Sequence, residues 1–593
     1  MKNSSLFVLS SILSTTSILS AKAKQPNVIL ILTDDQGWGD FGFNDNPNVK
    51  TPNLDQMSRS GALMTNFRVS PLSATTRAGL LTGRDHLRSG ALTVTRNGEN
   101  MDTDEMTIAE LLKHNGYATG CFGKWHNGAH YPEDPNGQGF DEFVGFCAGH
   151  WNNYFDASLQ HNQMMIPFTG YITDVLTDYA IEFITQQRDE PFFCYIPYNA
   201  PHGPYQAPDE YYNKYKHLSK SDTDPTPAVY AMCENIDTNV GRILSTLKQE
   251  GIEEETIIIY LTDNGPNNPR YNGKWRGRKG QVYDGGIRTP FIINWKGKIL
   301  SAQHSCLTSY IDVLPTIQQL CAAEFPTDSI RPIDGMSFAS QLMGEEECGK
   351  FNRRLLYTHR ANSNDSLEAA TGTVYSPDYK LIINPNGIER LYDLTKDPSE
   401  TNDIASIDTL ITAEYRAAYD EWFAGIKKDY NANCSRKTSV GLTNYEVYLP
   451  AHEGIKSGAV KYNRSSQGWA GDWYTNIHTN DSISWCVEVA DSCSYLIDIE
   501  YALPENNDNI RSGITALKAN QTIYPQQLEE YKATRIEGPS RISGKIAYDQ
   551  TWKRLTLGSI VLNKGEERLL INLKSNREGL DGLEIKGIYV EKE

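Results

Sequence analysis

Four short apolar runs, each ending in residues that carry chemistry, constrain this chain more than any other feature. Asn27-Val28-Ile29-Leu30-Ile31-Leu32 runs into Thr33-Asp34-Asp35-Gln36-Gly37, and Tyr117-Ala118-Thr119-Gly120-Cys121-Phe122 into Gly123-Lys124-Trp125-His126. Phe192-Phe193-Cys194-Tyr195-Ile196 leads to Pro201-His202-Gly203-Pro204, and Ile257-Ile258-Ile259-Tyr260-Leu261 to Thr262-Asp263-Asn264-Gly265. A continuous apolar run, without the alternation of a half-exposed strand, marks a strand buried on both faces. Helical patterns lie between the runs. They cover Thr107 to His114, Asp174 to Gln187, and Val229 to Glu250 with Ile236, Val240, Ile243, Leu244 and Leu247 on one side. Strands alternating with helices predict an α/β fold whose mainly parallel sheet is covered by helices on both faces. Ligands of such sheets bind beyond the carboxyl ends of the strands. One aspartate at a strand end is a turn residue, but four chemical endings predict a site.

At 593 residues the chain is too long for a single core, so two or three domains are expected. The strand–helix rhythm fills residues 25–350. It then gives way to a hairpin pattern (Tyr379-Lys380-Leu381-Ile382-Ile383, a turn at Asn386-Gly387, Arg390-Leu391-Tyr392-Asp393-Leu394) and a helix over roughly Thr409 to Lys427. We read 351–432 as a small antiparallel α+β subdomain closing the catalytic unit. From 440 to 593 apolar and polar residues alternate, as in Ile483, Trp485, Val487 and Val489, which predicts a β-sandwich. This tail looks like the galactose-binding-like modules attached to carbohydrate enzymes. Trp469, Trp473 and Tyr474 are candidates to stack on sugar rings, against a reading as core or interdomain residues.

The formal charge of −18 argues against nucleic acid or an anionic membrane as partner, so any anion site must be a local basic pocket. Residues 1–24 read as a secretory signal, with Lys2, an apolar hydroxyl-rich centre and an Ala21-Lys22-Ala23 end. Their apolar run is too short to span a bilayer, and no cysteine near the cleavage point supports a lipid anchor. The ten cysteines are scattered without metal spacing and read mostly as small buried hydrophobes; Cys486 and Cys493 are a candidate pair to close a hairpin.

Pro71-Leu72-Ser73-Ala74-Thr75-Thr76-Arg77-Ala78-Gly79-Leu80-Leu81-Thr82-Gly83-Arg84 reads as a loop turning into a short helix. Thr75 and Thr76 are its candidate caps and Gly83 its end. Ser73 then lies where backbone N–H groups favour an anion, with Arg77 four residues on and able to return to its hydroxyl. Asp34, Asp35, Asp263 and Asn264 supply hard oxygen ligands which, with an oxygen at residue 73, suit Ca²⁺ or Mg²⁺. Arg77, Lys124, His126, His202 and Lys279 supply positive charge for an anionic ester.

The Ser73 segment resembles the signature of the type I, formylglycine-dependent sulfatases of the alkaline phosphatase superfamily. Ser73, Arg77 and Leu81-Thr82-Gly83-Arg84 match in register, while Thr75 stands where the family usually has Pro. Gly123-Lys124-Trp125-His126, Pro201-His202-Gly203-Pro204 and the stretch Lys279 to Arg288 also have counterparts, the last with Asp284 for the usual Glu. Ile311-Asp312-Val313-Leu314-Pro315-Thr316 and Leu391-Tyr392-Asp393-Leu394 are further landmarks, so the likeness spans about Pro26 to Lys428.

The resemblance implies an alkaline-phosphatase-like fold and a cation, usually calcium, on the four ligand positions together with residue 73. It also implies that Ser73 is converted to formylglycine by a radical-type maturating enzyme, which places the protein in a bacterial periplasm. One hydroxyl of the aldehyde hydrate attacks sulfur and the other expels sulfate. Arg77 and the cation stabilise the ionised diol, Lys124 and Lys279 neutralise sulfate oxygens, and His126 or His202 handles the leaving-group proton. The expected substrate is a sulfated carbohydrate. A phosphate or phosphonate monoester hydrolase of the same superfamily is one alternative, and a catalytically silent glycan-binding homologue the other.

Overall fold

The run Asn27–Thr33 becomes the middle strand of a large sheet. Alternate side chains enter separate cores: Val28, Leu30 and Leu32 on one face, Ile29 and Ile31 on the other, all fully buried. The computed structural model describes residues 25–593 apart from 327–330, 362–366, 434–436, 465–467, 507, 537 and 544–547; the expected leader, 1–24, lies outside the described residues. In chain order the α/β part comprises β1 (Asn27–Thr33), α1 (Pro52–Ser60), β2 (Ala62–Arg68), α2 (Ser73–Thr82), α3 (Ile108–His114), β3 (Ala118–Lys124), β4 (Glu142–Phe146), β5 (Ser158–His161) and β6 (Met164–Pro167). It continues with α4 (Ile172–Gln186), β7 (Phe192–Pro197), α5 (Asp209–Tyr215), α6 (Thr226–Glu250), β8 (Thr256–Thr262), β9 (Arg288–Asn294), β10 (Ala302–His304) and β11 (Thr308–Ser309).

The strands form one eleven-stranded sheet in the order β10-β2-β9-β8-β1-β7-β3-β4-β5-β6, with β11 also beside β2. The central five, β8-β1-β7-β3-β4, are parallel, and β9, β5 and β6 run against their neighbours. Register sets which strand ends meet. Thr33 pairs with Thr262, so the first polar residues after β1 and β8, Asp34 and Asp263, emerge side by side. Local signals hold the helices: Thr107 and Glu110 form a reciprocal capping box on α3, and Gly83 ends α2 in the left-handed conformation at φ 67°.

One local expectation is corrected. Helix α2 starts at Ser73, so Thr75 and Thr76 sit inside its first turn and neither caps it. Their hydroxyls bond backwards instead: Thr75 Oγ1 donates to the Leu72 carbonyl (2.8 Å), and Thr76 Oγ1 accepts from the Ser70 N–H (3.0 Å).

A four-stranded antiparallel sheet (Leu356–Arg360, Thr371–Tyr375, Tyr379–Ile383, Glu389–Asp393) packs against the helix Thr409–Asn433. Buried Lys380 binds it to the large sheet by bridging Asp284 and Glu400, while Asp284 also pairs with Arg68 at 2.8 Å. Beyond it two six-stranded sheets share one core that includes Trp485, Tyr495, Ile499 and Ile588. The strands that carry Cys486 and Cys493, Ser482–Val489 and Cys493–Ala502, belong to different sheets of this sandwich. No hairpin therefore brings the two thiols together; among the described residues a disulfide joins Cys306 to Cys348 instead. Trp473 and Tyr474 are fully buried, whereas Trp469 is 43% exposed. Among the described residues no helix is long and apolar enough to cross a membrane.

Candidate active site

The residues at the ends of β1, β3, β7 and β8 converge on the start of α2. Ser73 Oγ donates to Asp263 Oδ2 (2.6 Å) and accepts from Arg77 Nε (2.9 Å), so Arg77 does fold back one helical turn onto the hydroxyl. The Arg77 guanidinium also reaches Asp263 Oδ2 (3.0 Å), Asp34 Oδ2 (3.4 Å) and the Lys124 carbonyl (2.7 Å). Lys124 Nζ bonds Asp34 Oδ2, and Lys279 Nζ lies 2.7 Å from Asp35 Oδ1 and 4.0 Å from Asp34 Oδ1. Asn264 Nδ2 donates to Asp35 Oδ1 (2.8 Å). His126 Nδ1 is 3.3 Å from Ser73 Oγ, and His202 Nε2 is 3.7 Å from Asp35 Oδ2. All ten residues singled out in the sequence thus form one cluster, and Lys279 alone comes from neither a strand end nor α2. Its loop is held over the site by the Lys279 N–H on the Pro266 carbonyl (3.0 Å) and the Gly280 N–H on the Pro71 carbonyl (2.8 Å).

Asp35 (φ 64°) and His126 (φ 66°) are held in the left-handed region, which costs a non-glycine residue about 1–2 kcal/mol and persists where surroundings over-determine it. The charges are as closely set. Burial alone would raise the Asp34 carboxyl, but Lys124, His202, Lys279 and Arg77 outweigh it and hold it well below the ordinary range. The Asp263 carboxyl goes the other way, pushed up to about 6 by burial and then by the charge of Asp34, against Arg77 and Lys124. Burial would depress Lys279, yet Asp35 and Asp34 keep its ammonium charged, whereas burial wins at Lys124 and lowers it. Burial, then Lys124, keeps the His126 ring neutral.

Three buried oxygens, Asp34 Oδ1, Asp35 Oδ2 and Asn264 Oδ1, have no hydrogen-bond partner among the described residues. Orphaned buried acceptors are costly, so these oxygens call for a partner. Asp34, Asp35 and His202 also present ligand atoms within 4.8 Å of one another. Carboxylate and amide oxygens of this kind fit a hard dication such as Ca²⁺ or Mg²⁺. The pocket's own charges, three carboxylates against Arg77, Lys124 and Lys279, sum to zero, so a dication would make it an anion receptor inside an acidic protein.

Sequence reasoning missed His150. Its ring packs edge-on against His202 with centroids 5.7 Å apart, and its Nε2 is buried without a partner among the described residues. Burial, then His202 and Arg464, hold it neutral. The available signal was a fifth parallel strand, β4, whose polar ending is delayed by Cys147-Ala148-Gly149. Gly149 has its own constraint, because a Cβ there would lie 2.1 Å from His126 Nε2. Gly149→Ala is expected to displace the His126 ring and lower kcat/KM by about 10–100-fold, in line with the cost of an ångström-scale misplacement. Steady-state kinetics and a melting curve check this, and unchanged kinetics would show that the position of His126 is not critical.

Residues 26–322 match the family described as Sulfatase, and residues 274–416 the one described as N-sulphoglucosamine sulphohydrolase, C-terminal. The chain is 33% identical over 392 residues to the N-acetylgalactosamine-6-sulfatase of Mus musculus, covering 59% of this chain and 72% of that one. It is 29% identical over 491 residues to the uncharacterised sulfatase YdeN of Escherichia coli (strain K12), covering 68% and 86%. Among solved structures it superimposes on Ps i-CgsB in complex with k-i-k-neocarrahexaose with a TM-score of 0.62 and 28% identity, over 67% of this chain and 93% of that one. Half of the chain lies within the match to the family, and a relative above 30% identity is covered over more than two thirds of its length. On both grounds the chain belongs to the sulfatase family, and it is a hydrolase of sulfuric esters.

Proposed function

We propose that this sulfatase is exported to a bacterial periplasm and releases sulfate from a sulfated carbohydrate, using an aldehyde made at Ser73. The observation that carries the reading is a mismatch at residue 73. Val94 O accepts from His126 Nε2 (3.0 Å), so in the neutral ring Nδ1 is an acceptor, and it faces Ser73 Oγ. Asp263 Oδ2 faces the same oxygen as a second acceptor. A serine hydroxyl has one proton for two acceptors, and an aldehyde hydrate has a hydroxyl for each. Such a hydrate supplies one hydroxyl to attack sulfur and another whose deprotonation lets sulfate leave. Asp34, Asp35, Asp263 and Asn264 are the residues that would hold a divalent cation, whose charge would stabilise the sulfate oxygens.

The remaining roles follow from which atoms are already engaged. Arg77 stabilises the ionised oxygen it already contacts, and Lys124 and Lys279 neutralise the oxygens of the transferring group. His126 takes a proton from residue 73. His202 donates Nδ1–H to the Gly203 carbonyl (2.6 Å), which leaves Nε2 as the atom that first takes up a proton and, with the ring then protonated, passes it to the leaving oxygen. The Cys306–Cys348 disulfide supports an oxidising compartment. Two similar proteins carry sugars in their names, an N-acetylgalactosamine sulfatase and a structure with a neocarrahexaose, which supports a carbohydrate substrate. We divide the chain into a catalytic domain at 25–350, its small subdomain at 351–432 and an accessory sandwich at 440–593, a division supported by the separate sheets.

Sulfated oligosaccharides cut from carrageenan, chondroitin sulfate and heparan sulfate, each beside its sulfated monosaccharide, test the reading on matured protein. Sulfate release from at least one is expected, and release from none would overturn it. The phosphatase alternative is separated with one leaving group. The matured enzyme should prefer an aryl sulfate to the matching phosphate by at least about a hundredfold in kcat/KM, roughly 2.7 kcal/mol. Preference for the phosphate would move the chain to that alternative.

A further inference from the structure

We propose that the C-terminal sandwich builds one wall of the catalytic cleft and that Trp469 is a specificity-determining residue, stacking on the sugar next to the sulfated one. This rests on the carbohydrate nature of the proposed substrate. The segment around Trp469 is tied to both flanks of the site. On one side Thr95 Oγ1 donates to the Gly468 carbonyl (2.7 Å), and the preceding residue, Val94, carries the carbonyl that holds His126. On the other, Arg464 Nη1 donates to Asn152 Oδ1 (3.0 Å), two residues beyond the His150 that packs on His202. Trp469 directly follows both attachments in the chain, next to Gly468.

A second arm of the sandwich docks beyond His202. The Arg541 N–H donates to the Tyr205 carbonyl (2.9 Å), its guanidinium reaches the Ala207 carbonyl (2.6 Å) and Asp209 (2.6 Å), and the Ser543 N–H reaches the Asp222 carbonyl (2.8 Å). A third tie joins His130 Nε2 to buried Glu453 at 2.9 Å. With three attachments the sandwich cannot swing away from the cleft as a tethered module would.

Exposure of Trp469 is not looseness. Fully buried Asp472 accepts from the Trp469 N–H (3.0 Å) and returns its own N–H to the Trp469 carbonyl (2.9 Å), and Arg464 Nε clamps the other Asp472 oxygen (2.8 Å). The backbone is fixed while 43% of the residue faces solvent. An indole on a fixed backbone, in a segment tied to both flanks of the site, suits the apolar face of a pyranose, because an aromatic ring gives large area with few rotatable bonds to order. The hydrogen-bond path from Ser73 to Gly468 runs through His126 and the 94–95 segment, so the contact is assigned to the neighbouring sugar and not to the one that carries the sulfate.

The test uses matured full-length protein with Trp469→Ala and Trp469→Phe, a carrageenan or chondroitin sulfate tetrasaccharide that the unaltered enzyme hydrolyses, and the matching sulfated monosaccharide. Trp469→Ala should lower the tetrasaccharide-to-monosaccharide ratio of kcat/KM at least about tenfold, with the loss in KM and not in kcat. Trp469→Phe should restore most of the ratio, since it keeps an aromatic face. An unchanged ratio, or an equal loss on both substrates, would overturn the role of Trp469. Failure of the unaltered enzyme on every sulfated glycan is a different result and would strike the carbohydrate reading instead.

Discussion

Ser73→Ala protein is expected to release sulfate at least about a thousandfold more slowly than matured enzyme, a loss of roughly 4 kcal/mol of transition-state stabilisation. Protein of unaltered sequence produced without a serine-competent maturase should be just as inactive. The alanine removes one hydroxyl, and Asp263 and Arg77 remain paired with each other at 3.0 Å, so the melting temperature should hold while activity falls. Protein co-produced with the maturase should carry a residue 73 lighter by two hydrogens, read on the peptide that spans Pro71 to Arg77. Activity should track that converted fraction from batch to batch. Vigorous turnover by material whose peptide shows only serine would end the aldehyde reading and leave the two acceptors around Ser73 Oγ without an explanation. Thr75 bears on this result, because it replaces a proline in the segment a maturase must recognise. Ser73 itself is buried in the folded chain, so a maturase would have to reach it before that fold closes.

The features legible in the sequence were those set by short-range pattern. Consecutive apolar residues from Val28 to Leu32 and from Ile257 to Leu261 specify strands buried on both faces, and parallel pairing then fixes where Asp34 and Asp263 emerge. Four kinds of feature were not legible, for separate physical reasons. His150 follows a five-residue strand, and three small residues delay its chemistry, so no apolar run points to it. The caps of α2 depended on where the helix starts, and it starts at Ser73, whose hydroxyl is held by Asp263 from another strand end and by Arg77 one turn on. The disulfide depended on which sheet each strand joins: Cys486 and Cys493 are neighbours in sequence on opposite sheets, while Cys306 and Cys348 are 42 residues apart. Trp469, Trp473 and Tyr474 looked alike in sequence, and only packing separated the exposed one from the two in the interior.

Asp263→Asn should abolish activity and also remove the response of the protein to calcium, and the pair of results says more than either alone. The substitution keeps the shape of the side chain but deletes a charge that burial and Asp34 already disfavour, as the rise of its carboxyl to about 6 shows. In chelator, therefore, the variant should melt no lower than the unaltered protein. Added calcium should stabilise the unaltered protein by about 2.7 kcal/mol at a hundredfold excess over Kd, since an ion bound only by the folded state stabilises it by mass action. The variant should gain little at the same concentration, because the site has lost one of its three carboxylates and a cation there would no longer balance the like charges. Melting curves of both proteins, each in chelator and in calcium, read this without depending on turnover. Catalysis should fall at least about a thousandfold as well, because Asp263 also holds Ser73 Oγ and the Arg77 guanidinium in place. A protein whose activity and melting temperature both ignore chelator would refute the metal assignment outright. The orphaned oxygens of Asp34, Asp35 and Asn264 would then need another partner, and Lys279, already 4.0 Å from Asp34 Oδ1, is the side chain placed to move onto them.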